Sequence, residues 1–279
     1  MRVAVLTTLA MIAFAGNSLL CRAALDQTTI DPASFTSVRL ACGAATLWFI
    51  VRLRRRHQQS AGKWLSAFVL FLYAAGFSLA YVKLSAATGA LLLFGAVQAT
   101  MIGYGLWKGE RLHKRQRLGL MCATAGLVGL LLPGLSAPPL SAAVLMLMAG
   151  TAWGVYSLRG QDRGDSISMT AGNFLRSVPF AVGLSLLMLN SSSLDPVGFW
   201  YAAASGALTS GIGYVLWYSA LSAIDSTTAA TVQLSVPVVT ALGGVALLGE
   251  PITFRLAVTS VAILGGIAMV IFNRQINRA

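Results

Sequence analysis

The chain is a succession of apolar stretches of about 20 residues, separated by short breaks rich in charged or turn residues. A helix of about 20 residues spans the roughly 30 Å hydrocarbon core of a bilayer. Hydrophobic residues make up 57% of the chain and charged residues only 10%, whereas about 25% of a soluble domain is charged. The pattern therefore predicts an all-α membrane protein with almost no sequence left for a soluble domain.

Ten stretches meet this length. The predicted spans are 3–22, 32–51, 64–83, 86–106, 118–134, 140–158, 167–189, 197–220, 227–248 and 254–272. The first is longer than the apolar region of a signal peptide, and no small-residue cleavage site precedes Arg22, so we expect it to remain in the membrane.

The basic residues are distributed unevenly between the two faces of the membrane. An even number of spans places both termini on one side. Fifteen of the 20 lysines and arginines fall in loops on that side, and the other five lie in or beside spans: Arg22, Arg39, Lys83, Arg176 and Arg255. Positively charged loops stay in the cytoplasm, so the pattern predicts cytoplasmic N and C termini.

The net charge of +12 and the sequence RLRRRH at 52–57 would also suit a nucleic-acid partner. That basic run lies in a short loop between two spans, so membrane topology explains it. We expect contact with anionic lipid headgroups and no binding to nucleic acid.

Side chains in the arrangements that catalysis requires are missing from the sequence. His57 and His113 lie in basic loops without a carboxylate pair or a cysteine at metal-binding spacing. Cys21, Cys42 and Cys122 lie far apart within spans, as expected of small packing residues. No Gly-x-x-x-x-Gly-Lys-Ser/Thr loop is present to bind ATP. We therefore expect no enzyme activity, no metal and no cofactor.

The eight acidic residues lie at span ends or in loops. They are Asp26, Asp31, Glu110, Asp162, Asp165, Asp195, Asp225 and Glu250. Proton and sodium relays commonly use a carboxylate deep in the membrane, so this placement disfavours ion coupling through such a residue.

The chain repeats itself. Aligning 81–92 with 218–232 and extending the register pairs similar residues: Tyr81 with Tyr218, Phe77 with Tyr214, and, after a gap, Glu110 with Glu250; Arg39 also has a counterpart in Arg176. Two halves of five spans follow, residues 1–135 and 136–279. Because five is odd, the second half enters the membrane from the opposite side. Inverted repeats of this kind place a substrate site near the midplane, between the halves.

Glu250 ends the ninth span, next to Pro251. We interpret its carboxylate as a cap for the first turn of the last span, with Glu110 as its counterpart on the cytoplasmic face.

The residues that carry a family resemblance are Asn17 and Ser18 in the first span, DPASFTSVR before and in the second, and LSAIDSTTAATVQLSVPVVTALGGVALLGEPIT across the ninth. With the paired Gly-Glu endings, they resemble the drug/metabolite transporter superfamily, in its ten-helix class built from two EamA-type units. The resemblance implies that spans 1, 3, 4, 6, 8 and 9 line a central cavity and that spans 5 and 10 are peripheral. Within the family, the chain looks most like bacterial exporters of aromatic amino acids.

Two groups of side chains inside the spans are candidates for substrate binding. The polar candidates, which could instead only hold helices together, are Asn17, Gln98 and Gln233. The aromatic candidates are Phe14, Tyr73, Phe77, Tyr81, Trp153, Tyr156, Tyr214, Trp217 and Tyr218. Tyr73, Phe77 and Tyr81 share a helix face at i, i+4 and i+8, and Tyr214, Trp217 and Tyr218 repeat this arrangement. The alternative is an interfacial aromatic belt, but Tyr73, Phe77 and Tyr214 lie too deep in their spans for one.

Three basic residues near the spans allow two interpretations. Lys83, Arg39 and Arg176 either extend to the interface or act in transport, as a positive rim for a substrate carboxylate or as a helix-end contact during gating. We include Lys83 among the candidate substrate-binding residues.

Together these features favour a monomeric transporter of the bacterial inner membrane that exports amino acids, preferably aromatic, by alternating access in a uniport-like cycle. Aromatic walls suit a flat, amphipathic substrate and also attract ammonium groups. The alternative is therefore a broad exporter of organic cations or metabolites, possibly coupled to protons.

Overall fold

Every regular element in the described part of the chain is helical, as the sequence predicts. The computed structural model describes residues 2–54, 62–109, 113–134, 137–160, 165–221, 223–224, 229 and 232–276, without the side chains of residues 2 and 272–276.

The helices follow one another through short connections. They are α1 (Arg2–Gln27), α2 (Pro32–Leu53), α3 (Trp64–Tyr81), α4 (Ala86–Trp107), α5 (Lys114–Leu131), α6 (Leu140–Arg159), α7 (Ser166–Leu187), α8 (Pro196–Ala204), α9 (Gly213–Leu221), α10 (Ser235–Leu248) and α11 (Phe254–Ile276). A 3₁₀ turn (Leu189–Ser191) precedes α8, and a π-helical segment (Ser205–Ile212) joins α8 directly to α9.

Six helices in the described ranges are long and apolar enough to cross a membrane: α1, α2, α3, α4, α6 and α11. Three further predicted spans coincide with α5, α7 and the run from α8 to α9, and α10 covers the later part of the span predicted at 227–248. Ten crossings therefore remain a prediction. Glu110, the predicted counterpart of Glu250, lies outside the described residues.

Three helices begin at an aspartate, each of which accepts hydrogen bonds from backbone N–H groups in the first turn. Asp31 caps α2, Asp165 caps α7 and Asp195 caps α8. The hydrogen bond from Gly198 is the main cause of a lowered pKa at Asp195. Burial tends to raise the pKa of Asp31 and of Asp165, but hydrogen bonds outweigh it and lower both values.

The helices of the two predicted halves interleave. α3 and α4 pack against α6, α2 packs against α7 and the π segment, and α1 packs against α9 and α10. The approach of α6 to α4 is close enough that a Cβ at Gly150 would clash with the carbonyl oxygen of Leu93. The buried core of the molecule therefore lies between residues of both halves.

α5 and α11 form a peripheral pair that packs mainly against itself. A Cβ at Gly119 would lie 2.6 Å from the carbonyl oxygen of Gly266, and one at Gly126 would lie 2.9 Å from Ala262. These glycines allow the close contact that small residues permit between membrane helices, whereas Gly265 faces open space.

Candidate functional site

A cavity lies in the middle of the bundle, where helices of both halves meet. Its walls are Phe14, Asn17 and Ser18 on α1, Arg39 on α2, Tyr73 and Phe77 on α3, Leu93 and Phe94 on α4, Trp153 on α6, Thr209 and Ser210 on the π segment, and Tyr214 on α9. Its volume of ≈ 20 Å³ has room for about one water molecule. A larger solute can enter only when the helices move apart.

Aromatic rings dominate the wall, and Trp153 is at their centre. The centroid of its ring lies 5.0 Å from that of Tyr73, 5.2 Å from Tyr214 and 6.4 Å from Phe14. Tyr156 stacks on it at 5.6 Å with an interplanar angle of 23°. The predicted aromatic face of α6 thus meets those of α1, α3 and α9 at one place.

Phe77 of the cavity wall joins this network 5.5 Å from Tyr73. The other predicted rings extend it beyond the cavity: Tyr81, 4.7 Å from Phe77; Trp217, 5.9 Å from Phe14; and Tyr218, 6.3 Å from Tyr214. Phe174 on α7 joins the network too, 5.4 Å from Tyr214. Phe174 is not among the predicted residues, and no aromatic residue three or four positions away in α7 indicates its place.

Asn17 both lines the cavity and joins three helical elements. Its Nδ2 donates to the hydroxyl of Tyr73 (3.3 Å), and its Oδ1 accepts from Ser205 (2.8 Å) and Thr209 (3.3 Å). The two interpretations of this residue, a cavity group and an interhelical bond, therefore apply together.

Arg39 is buried beside the cavity, with only 1% of its surface exposed. Its Nη2 donates to the hydroxyl of Tyr73 (3.0 Å) and its Nε to Ser210 Oγ (3.3 Å). Its guanidinium carbon also lies 5.0 Å from the ring centroid of Phe77 and 5.2 Å from that of Tyr73. The interpretation that Arg39 extends to the membrane interface is wrong, because these partners hold it inside the bundle.

Arg176 does reach outward in part. Its guanidinium lies 5.7 Å from the ring centroid of Trp64, and its Nη1 donates to the carbonyl oxygen of Gly172. Trp64 is 60% exposed, as expected of an aromatic residue at a span end. The two arginines that the repeat pairs therefore occupy different environments.

Two glycines bring the π segment against α2 at the level of Arg39. A Cβ at Gly206 would clash with the carbonyl oxygen of Arg39, and one at Gly211 would lie 2.8 Å from Thr46. This close approach lets Ser210 accept from Arg39. π-Helical turns interrupt α-helices frequently at functional sites. The sequence of this segment, SGALTSGI, is rich in small and hydroxyl residues, but its apolar pattern predicts an ordinary α-helical span.

Three buried polar atoms in the cavity wall have no hydrogen-bond partner. They are Arg39 Nη1, Ser18 Oγ and the hydroxyl oxygen of Tyr214. Most buried polar groups in proteins are paired, so three such atoms around one cavity make it a candidate site for a polar ligand.

Three predicted site residues belong neither to the cavity wall nor to the aromatic network. Gln98 is buried in α4. Gln233, just before α10, is buried with its Oε1 unpaired. Lys83 is exposed in the turn after α3. Their part in substrate binding remains a prediction.

At one end of α3, charged groups join the halves in a set of residues that we call the Arg22 cluster: Arg22, Asp26, Glu250 and the backbones of Tyr81 and Ala86. Arg22 lies 2.9 Å from Glu250 and 2.8 Å from Asp26, and donates to the carbonyl oxygen of Tyr81 (3.1 Å). Glu250 also accepts from the backbone N–H of Ala86 (2.7 Å). Its carboxylate thus caps the start of α4. The prediction that Glu250 caps the last helix is wrong.

At the other end of α3, neutral acceptors hold the halves together in what we call the Arg159 cluster: Lys63, Ser66, Tyr156, Arg159 and Asn173. Arg159 donates to Ser66 Oγ (3.2 Å), and Asn173 accepts from the backbone N–H of Lys63 (2.8 Å) and donates to the hydroxyl of Tyr156 (3.2 Å). These residues also line a second, smaller cavity.

Comparison with known proteins identifies the class of protein that this arrangement represents. The model of the EamA-like transporter family matches the chain twice, over residues 1–132 and 140–272. The chain therefore belongs to the EamA-like transporter family and is a membrane transporter.

Its relatives include an uncharacterized protein of Pseudomonas aeruginosa, 54% identical over 274 residues that cover 98% of this chain and 96% of the relative. An uncharacterized transporter of Archaeoglobus fulgidus is 27% identical over 278 residues, which cover 94% of each chain. A crystal structure with 18% identity superposes over 98% of both chains with a TM-score of 0.71, which shows a shared fold.

Proposed function

We propose that this transporter exports amino acids, preferentially aromatic ones, across the bacterial inner membrane by alternating access. The observation that carries the proposal is the aromatic cavity around Trp153, which is built by helices from both segments that match the family model. Flat rings stack well on such walls, and the hydroxyl and amide groups of Ser18 and Asn17 suit the polar end of an amino acid.

The proposed architecture is two inverted halves, residues 1–135 and 136–279, of five crossings each. The double family match supports this division. In an inverted repeat, the halves rock around a central site and open it to one side at a time. The Arg22 and Arg159 clusters lie at opposite ends of α3 and join helices of both halves, so each is suited to close one end of the path.

The predicted excess of basic loops on the side of the termini supports cytoplasmic termini. The Arg159 cluster would then face the cytoplasm and the Arg22 cluster the outside. We expect a monomer, because one chain supplies both halves of the cavity.

A uniport-like cycle fits the distribution of carboxylates. Asp26, Asp31, Asp165, Asp195 and Glu250, the acidic residues in the described ranges, all lie outside the cavity wall. The cavity instead contains the permanent positive charge of Arg39. This charge opposes the binding of protons and of organic cations in the cavity.

Counterflow in proteoliposomes tests this function. Vesicles loaded with millimolar unlabelled phenylalanine should transiently accumulate external labelled tryptophan without any pH gradient, and should not accumulate a viologen dye. Trp153→Ala should abolish accumulation, whereas Trp107→Ala is the matched control because that ring is 80% exposed at the end of α4.

Three results would contradict the proposal. Failure of every amino acid to accumulate would exclude amino acid transport. Strict dependence on a pH gradient would exclude the uniport-like cycle. Accumulation of the dye at the rate of tryptophan would favour a broad organic-cation exporter.

A further inference from the structure

Each unpaired polar atom in the cavity wall carries a hydrogen that it can donate. Six buried side-chain polar atoms in the described residues lack a partner, and the cavity wall contains three of them: Arg39 Nη1, Ser18 Oγ and Tyr214 Oη. A guanidinium donates only, and hydroxyls donate readily. The ligand that satisfies all three is an acceptor.

The charge at this place is also uncompensated. Both ion pairs within the described residues involve Arg22, and the hydrogen-bond partners of Arg39 are the neutral hydroxyls of Tyr73 and Ser210. Arginine stays protonated in proteins. A buried charge without a counterion is costly, so the site favours a ligand that brings a negative charge.

The fork of the guanidinium is only partly used. Nη2 and Nε are bound to Tyr73 and Ser210, which fix the plane of the group, and Nη1 remains free at the cavity wall. A planar, preorganised fork of this kind matches a carboxylate.

We propose that Arg39 Nη1, together with the hydroxyls of Ser18 and Tyr214, is the binding site for the carboxylate of the transported substrate. The inference rests on the proposed function and makes it more specific, because the substrate must be a carboxylate. Its ring would lie against Trp153 and Phe14, and its ammonium would contribute less to binding.

The same geometry argues against organic cations. Arg39 already lies over the rings of Tyr73 and Phe77, at 5.2 and 5.0 Å from their centroids. These rings are therefore engaged with a protein cation, and a substrate cation beside them would be repelled by Arg39.

Three small molecules separate the contributions of the substrate groups on the purified wild-type protein. Phenylalanine has both charged groups, 3-phenylpropionate has only the carboxylate, and phenethylamine has only the ammonium. Ligand-induced thermal stabilisation in detergent, titrated to give Kd, should show phenylalanine and 3-phenylpropionate binding at least about tenfold more tightly than phenethylamine. Equal or tighter binding of phenethylamine would overturn the inference.

Variants then assign the effect to Arg39. Arg39→Gln should raise the Kd of both carboxylates about tenfold or more and leave that of phenethylamine unchanged or lower. Arg39→Lys keeps the charge but loses the planar fork, so its Kd for both carboxylates should lie between those of the wild type and Arg39→Gln. Arg176→Gln is the matched control, because Arg176 lies outside the cavity wall, and it should change none of the three values.

Tyr214→Phe keeps the ring and removes one donor, so it tests the site even when Arg39→Gln fails to fold. It should raise the Kd of 3-phenylpropionate roughly fivefold and spare phenethylamine. Unchanged carboxylate binding in Tyr214→Phe and in every folded Arg39 variant would overturn the inference.

The two proposals fail in different ways. If 3-phenylpropionate stabilises the wild type through Arg39 but no amino acid exchanges in proteoliposomes, the carboxylate site stands and the proposed function fails. If phenylalanine exchanges and phenethylamine exchanges equally well, transport stands and the carboxylate site fails.

Discussion

The two ends of α3 are held to the opposite half of the molecule by different chemistry. In the Arg22 cluster, the carboxylate of Glu250 pairs with Arg22 at 2.9 Å and also accepts from the first N–H group of α4. In the Arg159 cluster, Arg159 donates to a neutral serine hydroxyl at 3.2 Å. Hydrogen bonds between charged partners are stronger than those with a neutral acceptor, so of these described contacts the one between Arg22 and Glu250 is the stronger.

Carboxylates reinforce the difference. On the side of the Arg22 cluster, Asp31 accepts from the backbone of Ser193 at 3.0 Å, and Asp195 accepts from that of Thr29 at 3.1 Å, so both aspartates bridge the halves. At the other end, the hydrogen bonds of Asp165 among the described residues stay within its own helix turn, and its link to the first half is the charge of Arg54. In the proposed orientation, the cytoplasmic end would open more readily, which suits an exporter that loads its substrate from inside.

The largest expected effect comes from breaking the Arg22 cluster with Glu250→Gln. This change removes the more buried of the two carboxylates that pair with Arg22, since the side chain of Glu250 is 13% exposed and that of Asp26 is 48% exposed. The free energy of unfolding, measured by SDS titration in detergent micelles, should fall by about 2 kcal/mol. A loss below about 0.5 kcal/mol, the size of an exposed pair, would show that the end is not held by charge.

A smaller effect is expected at the opposite end from Ser66→Ala. Ser66 is buried and accepts from Arg159, so its loss should cost about 1 kcal/mol in the same titration. Ser157→Ala is the control, since that hydroxyl bonds only to a carbonyl oxygen in its own helix (2.8 Å) and should have little effect. If Ser66→Ala destabilises more than Glu250→Gln, the proposed inequality of the ends is reversed.

The aspartates that bridge the halves predict a pH dependence. Hydrogen bonds lower the pKa of Asp31 in the folded protein despite an opposing effect of burial, so its contribution is complete above the unfolded pKa of about 3.9 and is lost as pH falls through the folded value. Wild-type stability should therefore decrease between about pH 5 and pH 3. Asp31→Asn should flatten this decrease and cost roughly 0.5 kcal/mol at pH 7, because asparagine still caps the helix. An unchanged slope would contradict this role.

The smallest effect is expected from Asp26→Asn. Asp26 also pairs with Arg22, at 2.8 Å, but its side chain is 48% exposed. Exposed pairs contribute less than about 1 kcal/mol and weaken in salt, so the change should be near the limit of detection. A loss as large as that of Glu250→Gln would mean that the cluster depends on Asp26 instead.

The helical architecture and the aromatic wall were predictable because both depend on periodic patterns. Rings at i, i+4 spacing on α3 and α9 had to share a face, and Tyr73, Phe77 and Tyr214 do line one cavity. Asn17 was recognisable because a polar amide inside a span needs a partner.

Arg39 and Glu250 were misread for a common reason, which is that their partners are distant in sequence. A long basic side chain within a span ordinarily reaches the interface, and nothing local indicates that Tyr73 and Ser210 will hold Arg39 inside. Glu250 stands next to a helix start in sequence, yet its carboxylate bonds to Ala86, 164 positions away. Tertiary packing decided both cases.

A crystal structure of the wild-type protein with bound phenylalanine tests the central claim most directly. We predict that the amino acid lies in the cavity between the halves, with its carboxylate within hydrogen-bond distance of Arg39 Nη1 and its ring against Trp153. Phenylalanine bound with its carboxylate away from Arg39, or at a site outside this cavity, would contradict it.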